Sequence, residues 1–512
     1  MGTRHIVVIG AGIGGLAAAL ALSASGFRVT VVERAGTPGG KMREVAVAGA
    51  RIDAGPTVLT MRWVFDDLFE AAGTALSDHV TLHPAEILAR HAWGAEQRLD
   101  LFADIDRSAD AIGAFAGPAE ATGFRDFCER SRQVYQTLER TFIRAPRPTP
   151  LSLVRAAGLR GLPALWRISP FETLWQALGQ YFRDKRLRQL FGRYATYCGS
   201  SPFLAPATLM LVAHVEREGV WLVEGGMHRI AAALADRAAA CGASIRYQSH
   251  AADIVVAHGR AAGIRLASGE PIAADAVVVN ADAAAVAAGN FGEAVRAATQ
   301  PVPVSERSLS AVTWAMLAQA DGFPLTRHTV FFSDDYTAEF DSLFRRRTLP
   351  EQPTVYVCAQ DRDDRGSSSS SGPERLLCLI NAPASGEPPL GASELETCTT
   401  RTFRLLERSG LHLRRTPAAT VVTTPAQFAK MFPGTGGALY GRATHGSMAS
   451  FRRPDTRTRI PGLYLAGGST HPGAGVPVAA LSGRLAAAAV MRDSVSTSLS
   501  RPAAMPGGTS MR

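Results

Sequence analysis

The run IVVIGAGIGGLAAALALSASGF, from Ile6 to Phe27, carries no charged residue, so a fold must either bury it or hand it to a membrane. Its length would let a helix cross a bilayer, for which ~20 apolar residues suffice, and the basic start MGTRH ahead of it imitates a secretory signal. The glycines argue against both. Gly10, Gly12, Gly14 and Gly15 crowd its middle, and each costs a helix interior about 1 kcal/mol relative to alanine. The better parse is a β-rich run (Ile6, Val7, Val8, Ile9), a glycine turn, and an Ala- and Leu-rich helix from about Gly14 to Ser25. A second β-branched run (Val29, Thr30, Val31, Val32) then ends at Glu33.

That order is the first βαβ unit of a dinucleotide-binding fold, where GxGxxG follows a strand and an acid stands roughly 20 residues on. Gly10 permits the tight turn, Gly12 lets the backbone approach a pyrophosphate, and Gly15 lets helix and strand pack closely. The helix start offers open N–H groups to phosphate, and Glu33, 18 residues after Gly15, can accept from ribose hydroxyls. No secretory signal is therefore expected, and a cytoplasmic location follows.

A chain of 512 residues can bury a large core and suggests two or more domains. Its net charge of +9 raises nucleic acid and anionic lipid as partners. Nucleic-acid motifs and dense Lys/Arg blocks with interleaved aromatics are absent, so no nucleic acid is expected. One stretch points to lipid: Leu151 to Phe182 combines Leu and Trp with Arg155, Arg160 and Arg167. It fits a helix lying on the cytoplasmic membrane surface as a peripheral anchor, and equally an amphipathic helix pair capping the core. The six cysteines show neither CxxC nor metal-like spacing, and no metal is expected.

Further along, Gly39-Gly40 and Gly55-Pro56 are turns returning to the same site, and Val64 to Val220 reads as mostly helical. Gly225-Gly226 then open a helix followed by a three-stranded meander ending in Val277, Val278, Val279 and Asn280. Ser308 to Ala382 is strand-like and roofs a cavity, with DDRGSSSSSGPE as a flexible loop. Near the C-terminus, Leu463 to Ala466 is a strand, Gly467 to Gly475 a glycine loop, and Val476 starts a helix whose end can stabilise negative charge. The expected division is a discontinuous nucleotide-binding domain (1–75, 221–300, 425–492), a helical region (76–220), a substrate-domain sheet (301–424) and a disordered tail (493–512).

GAGIGG at Gly10 to Gly15, Glu33, GGK at Gly39 to Lys41, DAGPT at Asp53 to Thr57, EGGM at Glu224 to Met227, VVVNAD at Val277 to Asp282 and GGSTHPGAGVP at Gly467 to Pro477 together resemble the flavin-dependent carotenoid desaturases of the bacterial phytoene desaturase type. Within that family, DAGPTVLTMRWVFDDLF is most similar to the 1-hydroxycarotenoid 3,4-desaturases. The resemblance implies an α/β fold: a Rossmann-like FAD-binding domain of the amine-oxidase and GDP-dissociation-inhibitor kind, plus a mixed substrate domain with a helical, membrane-facing part. It implies FAD as cofactor, an acyclic carotenoid as substrate and an electron acceptor of unspecified chemistry.

Carried over position by position, the FAD contacts are Gly10, Gly12, Ile13, Gly14, Gly15, Glu33, Arg34, Gly40 and Lys41, with Thr57 and Val58 near the flavin. Ala251 and Asn280 fall on the adenine side, and Leu439, Gly467, Gly468, Gly475 and Val476 around the ring. Desaturation takes a hydride and a proton from adjacent carbons, and the flavin accepts the hydride. His471, Arg62, Glu224 and His445 are candidates for polar contacts near flavin or substrate, and for structural hydrogen bonds alike; no catalytic base is assigned. Alternatives in the same class are a phytoene desaturase, a carotenoid isomerase and an amine oxidase. A lipid-carrying binding protein of the GDP-dissociation-inhibitor kind is the non-enzymatic one.

Overall fold

A computed structural model describes residues 4–146, 148–153, 155, 171–369, 372–386 and 388–499. The opening run is a strand, β1 (His5–Ile9), a helix, α1 (Ile13–Ala24), and a second strand, β2 (Arg28–Val32). These strands sit in a five-stranded parallel sheet ordered Leu463–Leu465, Ala276–Val279, β1, β2, Ser244–Arg246. Alternate residues serve opposite faces. Ile6 and Val8 join α1, His228–Ala240 and Val476–Leu499 in one core, while Val7 and Ile9 meet the antiparallel meander of Ala251–Ala257, Arg260–Leu266 and Pro271–Ala273. A strand covered on both faces has no polar side to show, which accounts for the missing charges. α1 is likewise buried nearly all round.

A second, eight-stranded sheet runs His412–Arg414, Ser310–Asp321, Glu374–Ala382, Val355–Ala359, His328–Phe331, Ile87–Trp93, Gln97–Phe102, with Thr420–Thr423 also paired to Ser310–Asp321. Two of its strands correct the reading of 76–220 as a helical region. Ile87–Trp93 and Gln97–Phe102 form a hairpin that joins the sheet through a parallel pairing with His328–Phe331. Gly94, at φ +68°, makes the turn, and Leu99 and Leu101 point inward between exposed or half-buried neighbours, a period-2 pattern short enough to be lost among the helices around it.

The last helix, Val476–Leu499, runs past Arg492, where a disordered tail was expected. Asp493 gives that turn a reason to persist: it pairs with Arg457 at 2.8 Å and accepts from the Tyr464 hydroxyl at 2.7 Å. Residues 500–512 lie outside the described residues, as do Ser370 and Ser371 of the serine-rich loop.

Half of the segment expected to lie on a membrane, including Arg160, Trp166 and Arg167, also falls outside the described residues. Its last part, Leu174–Tyr181, is a core helix. Thr173 and Gln176 form its capping box, and Leu174, Ala177 and Leu178 are buried. Upstream, Leu151 and Phe171 are 69% and 78% exposed. Among the described residues no helix is long and apolar enough to cross a membrane.

Candidate functional site

α1 begins on Gly12, which brings no side-chain cap to the first turn, so the N–H groups that a Ser or Asp would take stay open to an outside anion. The close approach is built around Asn280. A Cβ on Gly12 would lie 2.7 Å from Asn280 Oδ1, and one on Gly14 would lie 2.7 Å from Nδ2 and 2.9 Å from the Gly467 Cα. Asn280 Nδ2 donates to the Ala466 carbonyl at 3.1 Å, while its Oδ1 is buried without a partner. Asn280 thus wedges between the two glycine loops.

The other motifs lock onto this centre. The Asp53 carboxylate accepts from the N–H groups of Met227 (2.7 Å) and His228 (3.2 Å), so DAGPT caps the helix that follows EGGM. Burial pushes the Asp53 carboxyl up, against those two bonds. Glu33 accepts from the N–H groups of Ala11 (2.7 Å) and Ala35 (2.8 Å), leaving lone pairs for a ribose hydroxyl. Lys41 Nζ donates to the Leu439 carbonyl at 2.6 Å and stands 4.0 Å from Asp282 Oδ2. Burial lowers the Lys41 ammonium pKa, and Asp282 opposes that shift.

All the carried-over residues except Gly15 line one cavity of about 1210 Å³. Gly15 has a packing role, since a Cβ there would run into the Gly10 carbonyl oxygen. One part of the cavity is walled by Glu33, Ser249 and Ala251, and another by apolar side chains such as Leu209, Val212, Val215, Leu377 and Leu379. The volume exceeds the roughly 300–1,000 Å³ of a pocket for one small ligand. The uncapped helix start, the unpartnered Asn280 oxygen and the glycine cradle fit a dinucleotide, with apolar room beside it.

The four polar candidates lie elsewhere. His471 Nε2 contacts the Ala145 carbonyl at 2.8 Å, and burial holds its pKa down to about 4. His445 Nε2 accepts from the Ser201 N–H at 3.0 Å, with its pKa lowered by burial to about 4. Arg62 pairs with Asp66 at 3.2 Å, and Glu224 meets His83 on the surface. None of these lines the cavity. Polar groups that do, beside those of the glycine cradle, include Arg193, Tyr197, Glu216, Thr57 and Tyr356, and of these five only Thr57 is foreseen from the sequence. Tyr197 and Tyr194 donate to Glu216 at 3.0 and 2.6 Å. Tyr356 Oη lies 2.7 Å from both Thr57 Oγ1 and His328 Nδ1. None of the four unforeseen residues belongs to a motif, and each comes from a different stretch of chain than the Glu374–Ala382 strand, whose residues 377, 379 and 381 face the cavity with a period of two.

Residues 13–491 match the family described as flavin containing amine oxidoreductase. The chain belongs to the flavin-containing amine oxidoreductases. The cofactor that this family's fold and the glycine cradle hold is FAD. Among relatives of this flavin-containing chain, the hydroxyneurosporene desaturase of Rubrivivax gelatinosus is 56% identical, over 100% of the chain and 97% of the relative. That of Cereibacter sphaeroides is 45% identical over 96% and 98%. The 4,4'-diaponeurosporene oxygenase of Staphylococcus haemolyticus is 27% identical over 94% and 96%. In fold, the chain is similar to an oxidoreductase from Methanosarcina mazei (TM-score 0.58, 18% identity, 95% and 100% covered). It is also similar to putrescine oxidase bound to putrescine (TM-score 0.59, 14% identity, 96% and 99% covered).

Proposed function

We propose that this flavoprotein desaturates an acyclic carotenoid, introducing the 3,4 double bond into a 1-hydroxycarotenoid of the hydroxyneurosporene type. The observation that carries the reading is one cavity of about 1210 Å³, in which a dinucleotide cradle continues into a chamber walled by aliphatic side chains and one sheet face. A polyene needs such a chamber, and the full-length similarity to hydroxyneurosporene desaturases supports this substrate class. Bound FAD supplies the hydride acceptor. The chain's own share is to hold phosphate on the α1 N–H groups and ribose on Glu33, and to seat the polyene out of water.

The reading extends to a membrane surface, from which an insoluble substrate is drawn. Ile143 lines the cavity, a few residues ahead of a segment flanked by exposed Leu151 and Phe171. Expression in cells accumulating neurosporene or its 1-hydroxy derivative, followed by pigment chromatography, tests the function. A new 3,4 double bond in the hydroxylated pigment is expected. Conversion of phytoene instead, or geometric isomers without net oxidation, refutes the assignment. Purified protein that is colourless and cannot be reconstituted with FAD refutes the redox reading altogether.

A further inference from the structure

An arginine enclosed in the apolar chamber asks for a partner. Arg193 lines the cavity, and its guanidinium, with five N–H donors, has phenols for neighbours. It reaches Tyr197 Oη at 3.4 Å and lies 5.5 Å from the Tyr197 ring centroid and 5.4 Å from that of Tyr356. Glu216 is one phenol away, bonded to Tyr197, and among the described residues no carboxylate pairs directly with Arg193. Across from it, Thr57 and Tyr356 share their hydroxyls at 2.7 Å, and His328 backs Tyr356 at 2.7 Å with its own Nε2 buried and unpartnered. Thr57 belongs to the loop leaving Asp53, and Tyr356 to the substrate sheet, so this polar knot sits where the two halves of the protein meet.

The chemistry of the knot selects its ligand. A hydrocarbon end group would leave the guanidinium's donors without acceptors in an enclosed apolar site, which is costly. An ammonium group would meet a fixed positive charge, so an amine of the kind bound by the putrescine oxidase neighbour is repelled. A neutral hydroxyl accepts from the guanidinium and exchanges a hydrogen bond with the Thr57 or Tyr356 hydroxyl. In a 1-hydroxy polyene that oxygen stands two carbons from C3, one end of the bond to be desaturated. Its recogniser must therefore adjoin the reacting part of the cavity, and Thr57, which lines that cavity, is the residue that the family resemblance puts near the flavin.

We propose that Arg193, Tyr356 and Thr57 bind the hydroxyl on the end group of the polyene and so discriminate hydroxylated from plain carotenoid. This rests on the desaturase reading above. A site built to hydrogen-bond a substrate hydroxyl rejects the analogue lacking it far more strongly than an apolar pocket could.

The test uses purified, FAD-loaded enzyme in phospholipid vesicles carrying either 1-hydroxyneurosporene or neurosporene, with dioxygen or a quinone supplied to take the two electrons of each turnover from the reduced flavin, and kcat/KM measured for each. Arg193→Met and Tyr356→Phe are compared with wild type, and Arg193→Lys serves as a rescue that keeps the charge. Flavin absorbance of each variant reports that the fold is intact. The expected result is a preference for the hydroxylated pigment that falls ~10–100-fold in Arg193→Met and in Tyr356→Phe and recovers in part in Arg193→Lys. Flavin-loaded variants that keep the wild-type preference overturn the anchor, as does a wild type that converts both pigments equally, though the desaturase reading then stands. A wild type that converts neither pigment overturns that reading, and the anchor with it. Should Arg193→Met lose its flavin, Tyr356→Phe and Thr57→Val decide the matter by the same ratio.

Discussion

At the scale of single residues, the glycines of the opening turn act by what they leave out. Gly12 must admit both Asn280 and a pyrophosphate, and an added Cβ would lie 2.7 Å from Asn280 Oδ1. Overpacking of this kind costs about 1–3 kcal/mol. Gly12→Ala is therefore expected to weaken FAD binding by about ten- to a hundredfold, measured by titrating apoprotein with FAD and following flavin fluorescence; an unchanged Kd would remove the cradle argument. These positions were legible in the sequence because glycine spacing is a backbone requirement, readable without knowing any partner. The polar groups of the apolar chamber, Thr57 excepted, were not. Thr57, Arg193 and Tyr356 are far apart in the chain and become neighbours only when a loop, a helical turn and a strand converge. His471 and His445, which sit near recognisable motifs, turned out to bond backbone atoms.

At the scale of elements, the nucleotide cradle depends on a helix pair. α1 and Val476–Leu499 pack so closely that a Cβ on Gly483 would strike the Gly14 carbonyl oxygen and lie 3.0 Å from the Ala17 Cβ. Gly14 lies in the first turn of α1, so separating the helices also moves the N–H groups that face phosphate. Gly483→Ala is expected to lower the thermal midpoint and to release FAD on dilution, although residue 483 does not line the cavity. A variant with wild-type melting and flavin content would show that the pair is not coupled to the site. The strand, turn and helix at each end of the chain could be read from pattern, because a buried parallel strand and an Ala-rich helix declare themselves over several residues. The Ile87–Trp93 and Gln97–Phe102 hairpin could not, since its partner strand His328–Phe331 comes more than 200 residues later.

At the scale of the whole molecule, acid should be the weak side. Burial holds His91 and His328 neutral down to about pH 3, and His445 and His471 down to about pH 4. In the unfolded chain they protonate near pH 6.5, so below that point the unfolded state binds more protons. The stability they contribute is complete above pH 6.5 and is lost as pH falls toward 4 and then 3. Each contributes a slope of about 1.4 kcal/mol per pH unit. Glu339 runs the other way, because burial raises its pKa to about 7 and favours folding at lower pH; it offsets about one histidine. Asp53 and Glu216, raised by burial, act with Glu339, while His5 and His214, lowered by burial, act with the other histidines; the histidines outnumber the carboxyls, and the expectation is a falling melting temperature as pH drops from 6.5 to 4.5. A flat profile across that range would contradict it.

The order of strands in the nucleotide sheet has a consequence for how the protein is made. β1 is flanked by β2 on one side and by Ala276–Val279 on the other, and that strand in turn by Leu463–Leu465. β1 thus leaves the ribosome well before Ala276–Val279 and Leu463–Leu465, and α1 well before Val476–Leu499, which covers it. Until then an apolar, uncharged stretch stands partly bare, the kind of surface that nascent chains lose to aggregation. The glycine loop from Gly467 to Gly475 lines the same cavity as Gly10 to Gly14, so the cradle is complete only after that loop has been synthesised, and cofactor loading follows it.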